Sequence, residues 1–197
     1  MRSNPYNGGM RSLVLALALL PATFLVATRA DYQTVKQKFS SIENYKAKPG
    51  SRIPISVQEL NAYVQKELPE VAPEGVRNPT VQLQGNNIAT GRAVINFLKL
   101  RSAQGKTSNW LLRQMLEGEH DVAVTTRVES GGGQATVYIE KVEVDGIPIE
   151  GAALDFLIKN YLLPNYPDAK IGTPFELKYK MDRFEVRPGM AYVVMRR

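Results

Sequence analysis

The feature that most constrains this chain is a pattern that occurs three times, a short amphipathic helix and a pair of long alternating strands. The predicted helices span residues 57–68, 107–117 and 152–163, and the predicted hairpins span residues 80–100, 119–144 and 173–196. Strict alternation of apolar and polar residues is typical of strands with one buried face, whereas spacings of three and four residues are typical of helices. The pattern predicts an α+β fold whose long antiparallel sheet has about six strands, contributed by three hairpins.

The third predicted helix is the most apolar of the three, and it indicates how the sheet is arranged. Between residues 152 and 163 the only charged or amide side chains are those of Asp155, Lys159 and Asn160. A helix that is apolar on most sides must be covered on most sides. We therefore expect a strongly curved sheet that wraps around this helix, with two or three further helices elsewhere in the fold.

Two hairpins contain a point at which the alternation changes face. The apolar positions shift by one residue after Ile139 in the second hairpin and after Met181 in the third. Because a period of two residues can change face only through an extra residue or a sharp twist, each shift predicts a β-bulge. Two bulges at matching depth would add to the coiling of a long sheet.

The start of the first predicted helix carries the most specific local pattern. Ser56 and Glu59 have the spacing of a capping box, and Ile55 and Leu60 occupy the positions of a hydrophobic staple. This pattern predicts a helix that begins directly after Ser56. Pro69 is expected to end it.

The N-terminus has the layout of a secretory signal peptide. Arg2 and Arg11 precede an apolar stretch at residues 13–26, and small residues follow at positions 28–30. The apolar stretch is shorter than the ~20 residues that a spanning helix needs. We expect residues 1–30 to direct export and to be cleaved after position 30, with a retained N-terminal membrane anchor as the alternative.

The rest of the chain is predicted to form a short polar lead-in followed by one domain. Residues 31–50 are a polar lead-in whose apolar spacing allows a helix, and residues 51–197 are the domain. The chain has no cysteine, so neither a disulfide nor a thiolate metal site can form. An exported domain without disulfides depends on core packing alone, which fits a bacterial periplasm or another compartment of the cell envelope.

Charge excludes one class of partner and suggests another. Removal of residues 1–30, which hold three arginines and no acid, lowers the formal net charge from +6 to +3. The remaining excess lies within residues 174–197, where basic residues alternate with acids, so nucleic-acid binding is not expected. Lys178 and Lys180 are predicted to share a strand face with Glu176 and Asp182. That face is either the wet side of the sheet or a weak contact with an anionic membrane surface.

The single histidine invites a metal-site or catalytic interpretation. On a strand, Glu119 and Asp121 point away from His120, so the three cannot share a metal ion. We expect a solvated strand start here and no metal. No G-x-S-x-G motif prepares a serine nucleophile. We therefore expect no cofactor and no catalysis, and an enzyme built on carboxylates, lysine and tyrosine is the third-ranked hypothesis.

Several sequence features together resemble a known superfamily. Residues 142–149, Val-Glu-Val-Asp-Gly-Ile-Pro-Ile, lead into the apolar helix at 152–163, and Pro-Phe-Glu-Leu at 174–177 opens the closing hairpin. An opening helix at residues 55–63 precedes them. This order resembles small bacterial envelope members of the tubular lipid-binding (TULIP-like) superfamily. The resemblance implies a curved antiparallel sheet that cups a long helix, an apolar groove for lipid, and no enzymatic activity.

The resemblance also implies which residues line the groove. The positions carried over are Leu154, Leu157, Ile158, Tyr161, Phe175, Leu177 and Tyr179. The predicted function is binding of a lipid or another long apolar ligand between sheet and helix, in lipid transport or envelope maintenance. The alternative is a non-enzymatic structural or protein-interaction module of the envelope whose own side chains fill that space.

Overall fold

The computed structural model describes residues 29–71, 75–101, 117–165 and 170–197. Its helices are α1 (Arg29–Glu43), α2 (Val57–Val71), α3 (Phe97–Arg101), α4 (Gly151–Leu157) and α5 (Leu163–Asn165), with a π-helical turn (Ile158–Leu162) between α4 and α5. Its strands are β1 (Arg52–Ser56), β2 (Val76–Gly85), β3 (Ile88–Ile95), β4 (His120–Gly131), β5 (Gln134–Val144), β6 (Ile147–Pro148), β7 (Phe175–Glu176), β8 (Met181–Arg187) and β9 (Met190–Met195). The predicted signal segment up to residue 28 and residues 107–116 of the second predicted helix lie outside the described ranges.

Six strands form one antiparallel sheet, the six-stranded sheet. Its order is β2-β3-β4-β5-β6, and β7 also pairs with β5. The hairpins β2–β3 and β4–β5 correspond to the first two predicted hairpins. The prediction of an α+β fold with a six-stranded antiparallel sheet is therefore confirmed.

The third hairpin does not belong to that sheet, contrary to the prediction. β8 and β9 join β1 in a separate three-stranded sheet of order β1-β9-β8. The predicted first strand of this hairpin is interrupted because Tyr179 and Lys180 adopt positive φ angles, 57° and 58°, in a turn. The short β7 before the turn pairs with β5, whereas β9 after it pairs along its length with β1.

Both predicted bulges are present. In the β4–β5 pair, Thr125 lies opposite Lys141 and Thr126 opposite Ile139, so the residue between them has no partner in the ladder. In the β8–β9 pair the register shifts between Met181 and Arg183. Each shift lets the apolar side chains stay on one face of a strand whose sequence pattern changes parity.

The capping box that starts α2 is confirmed. The backbone N–H of Ser56 donates to the Glu59 carboxylate at 2.7 Å, and the N–H of Glu59 donates to the Ser56 hydroxyl at 3.2 Å. Glu59 is buried, and Lys38 of α1 approaches its other oxygen at 2.6 Å. The end of α2 differs from the prediction, since Pro69 lies inside the last turn. A proline this close to the C-terminus removes one helical hydrogen bond without ending the helix.

The three-stranded sheet packs one face against α1 and α2. The buried cluster on this face contains Val35, Ile42, Ile55, Val193 and Met195. Val35 is wholly inaccessible to solvent. Helix α1 thus places part of the polar lead-in, residues 31–50, in the core.

The two sheets meet where the hairpin ends of the six-stranded sheet reach the outer edge of β8. The Ser130 hydroxyl accepts from the Phe184 N–H at 2.8 Å and donates to the Phe184 carbonyl at 3.0 Å. Asn87 also makes two bonds to one residue of β8. Its backbone N–H donates to the Val186 carbonyl at 3.2 Å, and its side-chain oxygen accepts from the Val186 N–H at 2.8 Å. These bonds satisfy polar groups that an edge strand would otherwise present to another chain.

Candidate functional site

An apolar groove lies between helix α2 and the adjoining end of the six-stranded sheet. Val64 and Leu68 form the helical wall. The strand wall comes from β2, β3 and β4: Pro79, Thr80, Val81, Gly91, Arg92, Ala93, Ile95, Val122 and Val124. The groove is open to solvent, and almost no polar atom reaches its wall.

Small side chains on β3 explain why there is space under α2. The residues Val81, Gly91, Val124 and Val142 stand opposite one another across four neighbouring strands. Laterally paired residues share a face of a sheet, so Gly91 leaves a gap in an otherwise apolar row. A Cβ atom built at Gly91 would meet no other atom within 4 Å. The next row places Ala93 beside Val122, again with a small residue on β3.

Helix α2 is fixed above the groove by one asparagine. The side-chain amide of Asn61 donates to the Val81 carbonyl at 2.9 Å, and its oxygen accepts from the Val81 N–H at 2.7 Å. It thereby pairs with the outer edge of β2 as a neighbouring strand would. The helical wall of the groove, Val64 and Leu68, follows on the same helix one and two turns later.

The size of the groove limits what it can hold. Its volume is about 210 Å³. Pockets for drug-sized ligands typically measure ~300–1,000 Å³, so the groove suits a single alkyl chain or a small ring system rather than a bulky lipid. Because the exposed wall is almost wholly apolar, its main contribution to binding is the removal of apolar surface from water.

One polar side chain lies in the row after Ala93 and Val122, on the same face of the sheet. His120 is paired with Ile95, which lines the groove, and it precedes Val122 by two residues. Alternate residues of a strand share a face, so the imidazole continues the apolar surface. The Phe97 ring lies 5.8 Å from the His120 ring and 5.1 Å from the Tyr161 ring, measured between centroids.

Within the described residues, one ring nitrogen of His120 has a hydrogen-bond partner and the other has none. Its Nδ1 lies 2.8 Å from the Asp145 carboxylate, whose other oxygen accepts from the Asp121 N–H at 2.9 Å. The hydrogen bond from His120, followed by that from Asp121, lowers the pKa of Asp145 below its usual value. Nε2 of His120 is buried and has no hydrogen-bond partner in the part of the chain that the structure describes.

The residues predicted to line a ligand groove are divided between regions. Leu157 and Tyr161 pack in the cluster formed by Phe97 and Val122, next to the groove. Tyr179 packs against the core of the three-stranded sheet. The remaining four are half-buried Leu154, Ile158 and Phe175 and buried Leu177.

The two lysines predicted to contact an anionic membrane lie outside regular strands. Lys178 and Lys180 are exposed and belong to the turn that precedes β8. They therefore do not share the strand face that the alternation predicted. Lys180 Nζ lies 6.0 Å from the centre of the Tyr45 ring. Whether they contact a membrane stays a prediction.

The prediction of a solvated strand start is confirmed for Glu119 and Asp121, which are exposed, but it is wrong for His120, whose side chain is only 14% exposed. The alternation of residues along β4 could have revealed that His120 is largely buried, because it shares a strand face with Val122 and Val124, both predicted to be apolar core positions. The partner Asp145 could not have been found in this way. It is distant in sequence and has a positive φ of 52° in the β5–β6 turn.

No family model, curated protein or solved structure matches this chain. Across the described ranges, no helix has the length and apolar character needed to cross a membrane. The same residues contain no group of three or more histidine, aspartate or glutamate side chains placed to hold a metal ion. The interpretation of the site therefore depends on its geometry and chemistry alone.

Proposed function

We propose that this chain is an exported protein of the bacterial cell envelope that binds a single-chain apolar ligand, such as the alkyl chain of a lipid, in the groove beneath α2. The observation that carries the proposal is the apolar groove of about 210 Å³. The resemblance to tubular lipid-binding proteins and the signal-peptide pattern of residues 1–30 point the same way.

The binding mechanism is desolvation. Each methylene group moved from water into the groove contributes about 0.8 kcal/mol. The small residues Gly91 and Ala93 provide the depth, while Val64 and Leu68 cover the chain from above. Leu157 lies in the neighbouring apolar cluster and would contact a ligand longer than the groove. A strongly curved sheet around the third helix would lengthen this surface and is part of the proposal.

Gly91→Leu is the direct test, because the new side chain would occupy the gap in the row. Gly91 has no positive φ and no atom within 4 Å of an added Cβ, so the change should not strain the fold. Gly131→Leu is the matched control, since Gly131 is also a strand residue with open space around it and lies outside the groove.

Binding is followed with N-phenyl-1-naphthylamine, a neutral apolar dye that fluoresces when it leaves water. We expect the full chain and Gly131→Leu to bind the dye alike, and Gly91→Leu to bind at least tenfold more weakly with an unchanged circular dichroism spectrum. Unaltered dye affinity in folded Gly91→Leu would exclude the groove as the ligand-binding site. Failure of the unmodified chain to bind dye, with no lipid detected by mass spectrometry of an organic extract, would favour the structural module.

A further inference from the structure

Basic side chains gather at one end of the three-stranded sheet. β1 begins at this end, beside the end of β9 and the start of β8. The cations lie on three segments that adjoin these strands, residues 45–50, 178–180 and 196–197, and these segments contain no acid. The basic end, as we call this surface, consists of Lys46, Lys48, Lys178, Lys180, Arg196 and Arg197.

Backbone hydrogen bonds hold the three segments together. The Gly50 N–H donates to the Arg196 carbonyl at 2.8 Å, and the Arg196 N–H donates to the Lys180 carbonyl, also at 2.8 Å. The rings of Tyr45 and Tyr179 lie 6.0 Å apart between centroids. The backbone of the basic end is therefore fixed by the fold, and its cations stay close together.

None of the described acids forms an ion pair with a cation of the basic end, whereas Arg52, for example, is paired with Glu185 at 2.6 Å. All six cationic side chains are exposed. The acids that flank the three segments are Glu43, Glu176 and Asp182, and Asp182 is already paired with Arg183 at 2.8 Å. The basic end therefore keeps an excess of positive charge.

An exposed aromatic ring lies among these cations. Tyr45 is 62% exposed, and the ammonium group of Lys180 lies 6.0 Å from the centre of its ring. Tyr45 also has a positive φ of 56°. This conformation is uncommon for a bulky residue and persists only where the surrounding structure holds it. The fold therefore keeps a large amphipathic ring in contact with solvent at the basic end.

The composition of the basic end distinguishes among anionic partners. Clusters of about four to eight basic residues are typical of segments that bind anionic lipid head groups. Lysine, which supplies four of the six cations, is depleted at protein–protein interfaces. A lysine can keep its alkyl stem over apolar surface while its ammonium group reaches a phosphate. Tyrosine rings are enriched at the same boundary between acyl chains and head groups.

We infer that the basic end docks this protein on an anionic membrane surface, with the cations at the lipid phosphates and the Tyr45 ring at the level of the head groups. The attraction is electrostatic, so it falls off over about 10 Å at a salt concentration of ~0.1 M. The inference goes beyond the proposed function, because it concerns the surface on which the protein lies and does not need a ligand in the groove.

Sedimentation with lipid vesicles tests the inference. The full chain is mixed with vesicles of equal parts phosphatidylglycerol and phosphatidylcholine, and with vesicles of phosphatidylcholine alone, which measure binding through the apolar stretch at residues 13–26. We expect tighter binding to the mixed vesicles and a loss of this preference at high salt. Each lysine near an anionic surface contributes about a fivefold increase in affinity, so Lys178→Gln with Lys180→Gln should weaken binding to the mixed vesicles about 25-fold.

Lys66→Gln with Lys159→Gln is the matched control. Both lysines are exposed, lie outside the basic end and form no ion pair with another described residue. The control removes the same charge and should bind the mixed vesicles as the unmodified chain does. Circular dichroism checks that both double variants are folded. Equal weakening in the two would show that net charge alone matters, and would overturn the assignment to the basic end.

Tyr45→Asn tests the ring, since asparagine tolerates a positive φ. We expect weaker binding to the mixed vesicles, and unchanged binding would overturn the position given to Tyr45. Polyphosphate, a soluble polyanion without an apolar layer, is the competing partner. If the chain binds polyphosphate through Lys178 and Lys180 but prefers neither kind of vesicle, the membrane assignment is overturned. A chain that prefers the mixed vesicles but binds no dye would support this inference while the proposed function fails.

Discussion

Helix α2 contributes to two apolar regions of this molecule that are filled very differently. On one side Leu60 and Tyr63 pack into the core of the three-stranded sheet, where the Phe39 and Tyr63 rings meet at 4.7 Å between centroids. On the other side Val64 and Leu68 face the six-stranded sheet across an open groove. The same helix therefore closes one interface and leaves space in the other.

The difference comes from the size of the side chains opposite the helix. Large residues such as Met195 and Phe184 fill the first region, and small ones, Gly91 and Ala93, line the second. Protein interiors are normally packed as densely as organic crystals, so the open region is the exceptional one. The first region therefore holds the fold together, whereas the second has room for a ligand.

The largest expected effect is a loss of stability in the filled region. Ile42→Ala removes a buried side chain from the first cluster and should lower the free energy of unfolding by about 2–5 kcal/mol. Ile95→Ala, in the half-buried wall of the groove, should cost less than the lower end of that range. Urea unfolding of both variants measures the difference. Equal losses would contradict the distinction between a filled and an open region.

A smaller effect is expected where α2 is joined to the open side. Asn61→Leu removes both hydrogen bonds to Val81 and leaves its edge groups unpaired, which should cost about 1–3 kcal/mol. Because Asn61 positions the wall of the groove, dye affinity should fall as well. Asn44→Leu is the control, since Asn44 is exposed, follows α1 directly and, among the described residues, bonds through its side chain to Ser40 alone. A stable Asn61→Leu variant with unchanged dye affinity would show that binding in the groove does not depend on the hydrogen bonds between Asn61 and Val81.

The smallest effect concerns the polar end of the open side. The pKa of Asp145 is lowered in the folded protein, so its carboxylate stabilises the fold above its usual pKa of 3.8, and this contribution disappears as the pH falls below that value. Asp145→Asn should therefore be slightly less stable than the unmodified chain near pH ~6 and equal to it near pH ~2. The side chain is exposed, so the difference will be small. Unfolding midpoints that differ equally at both pH values would exclude this contribution.

Local patterns in the sequence predicted local structure well. The spacing of Ser56 and Glu59 identified the start of α2, and the parity change after Ile139 identified a bulge, because each depends on residues close together in the chain. The alternation of β2 to β5 predicted their hairpins for the same reason. These features follow from backbone geometry and need no knowledge of distant contacts.

Features that depend on distant contacts were not predicted. The alternation of β8 and β9 identifies a hairpin but does not say which sheet it joins, and the deciding partner, β1, is well over a hundred residues away. The groove was predicted around the third helix, whereas in the structure α2 and the small residues Gly91 and Ala93 line an apolar groove elsewhere. Side-chain size on a single strand is informative only when the opposing element is known.

The pairing of β1 with β9 also determines when the three-stranded sheet can form. Arg52 lies opposite Val194, and among the described strands β1 pairs with β9 alone. The central strand of the three-stranded sheet is the last of the described strands in the sequence, and its contacts with β1 have a very large sequence separation. Such contacts slow folding because a long loop must close before they form. Among the described strands, β1 consequently has no partner until residues 190–194 are present to pair with it.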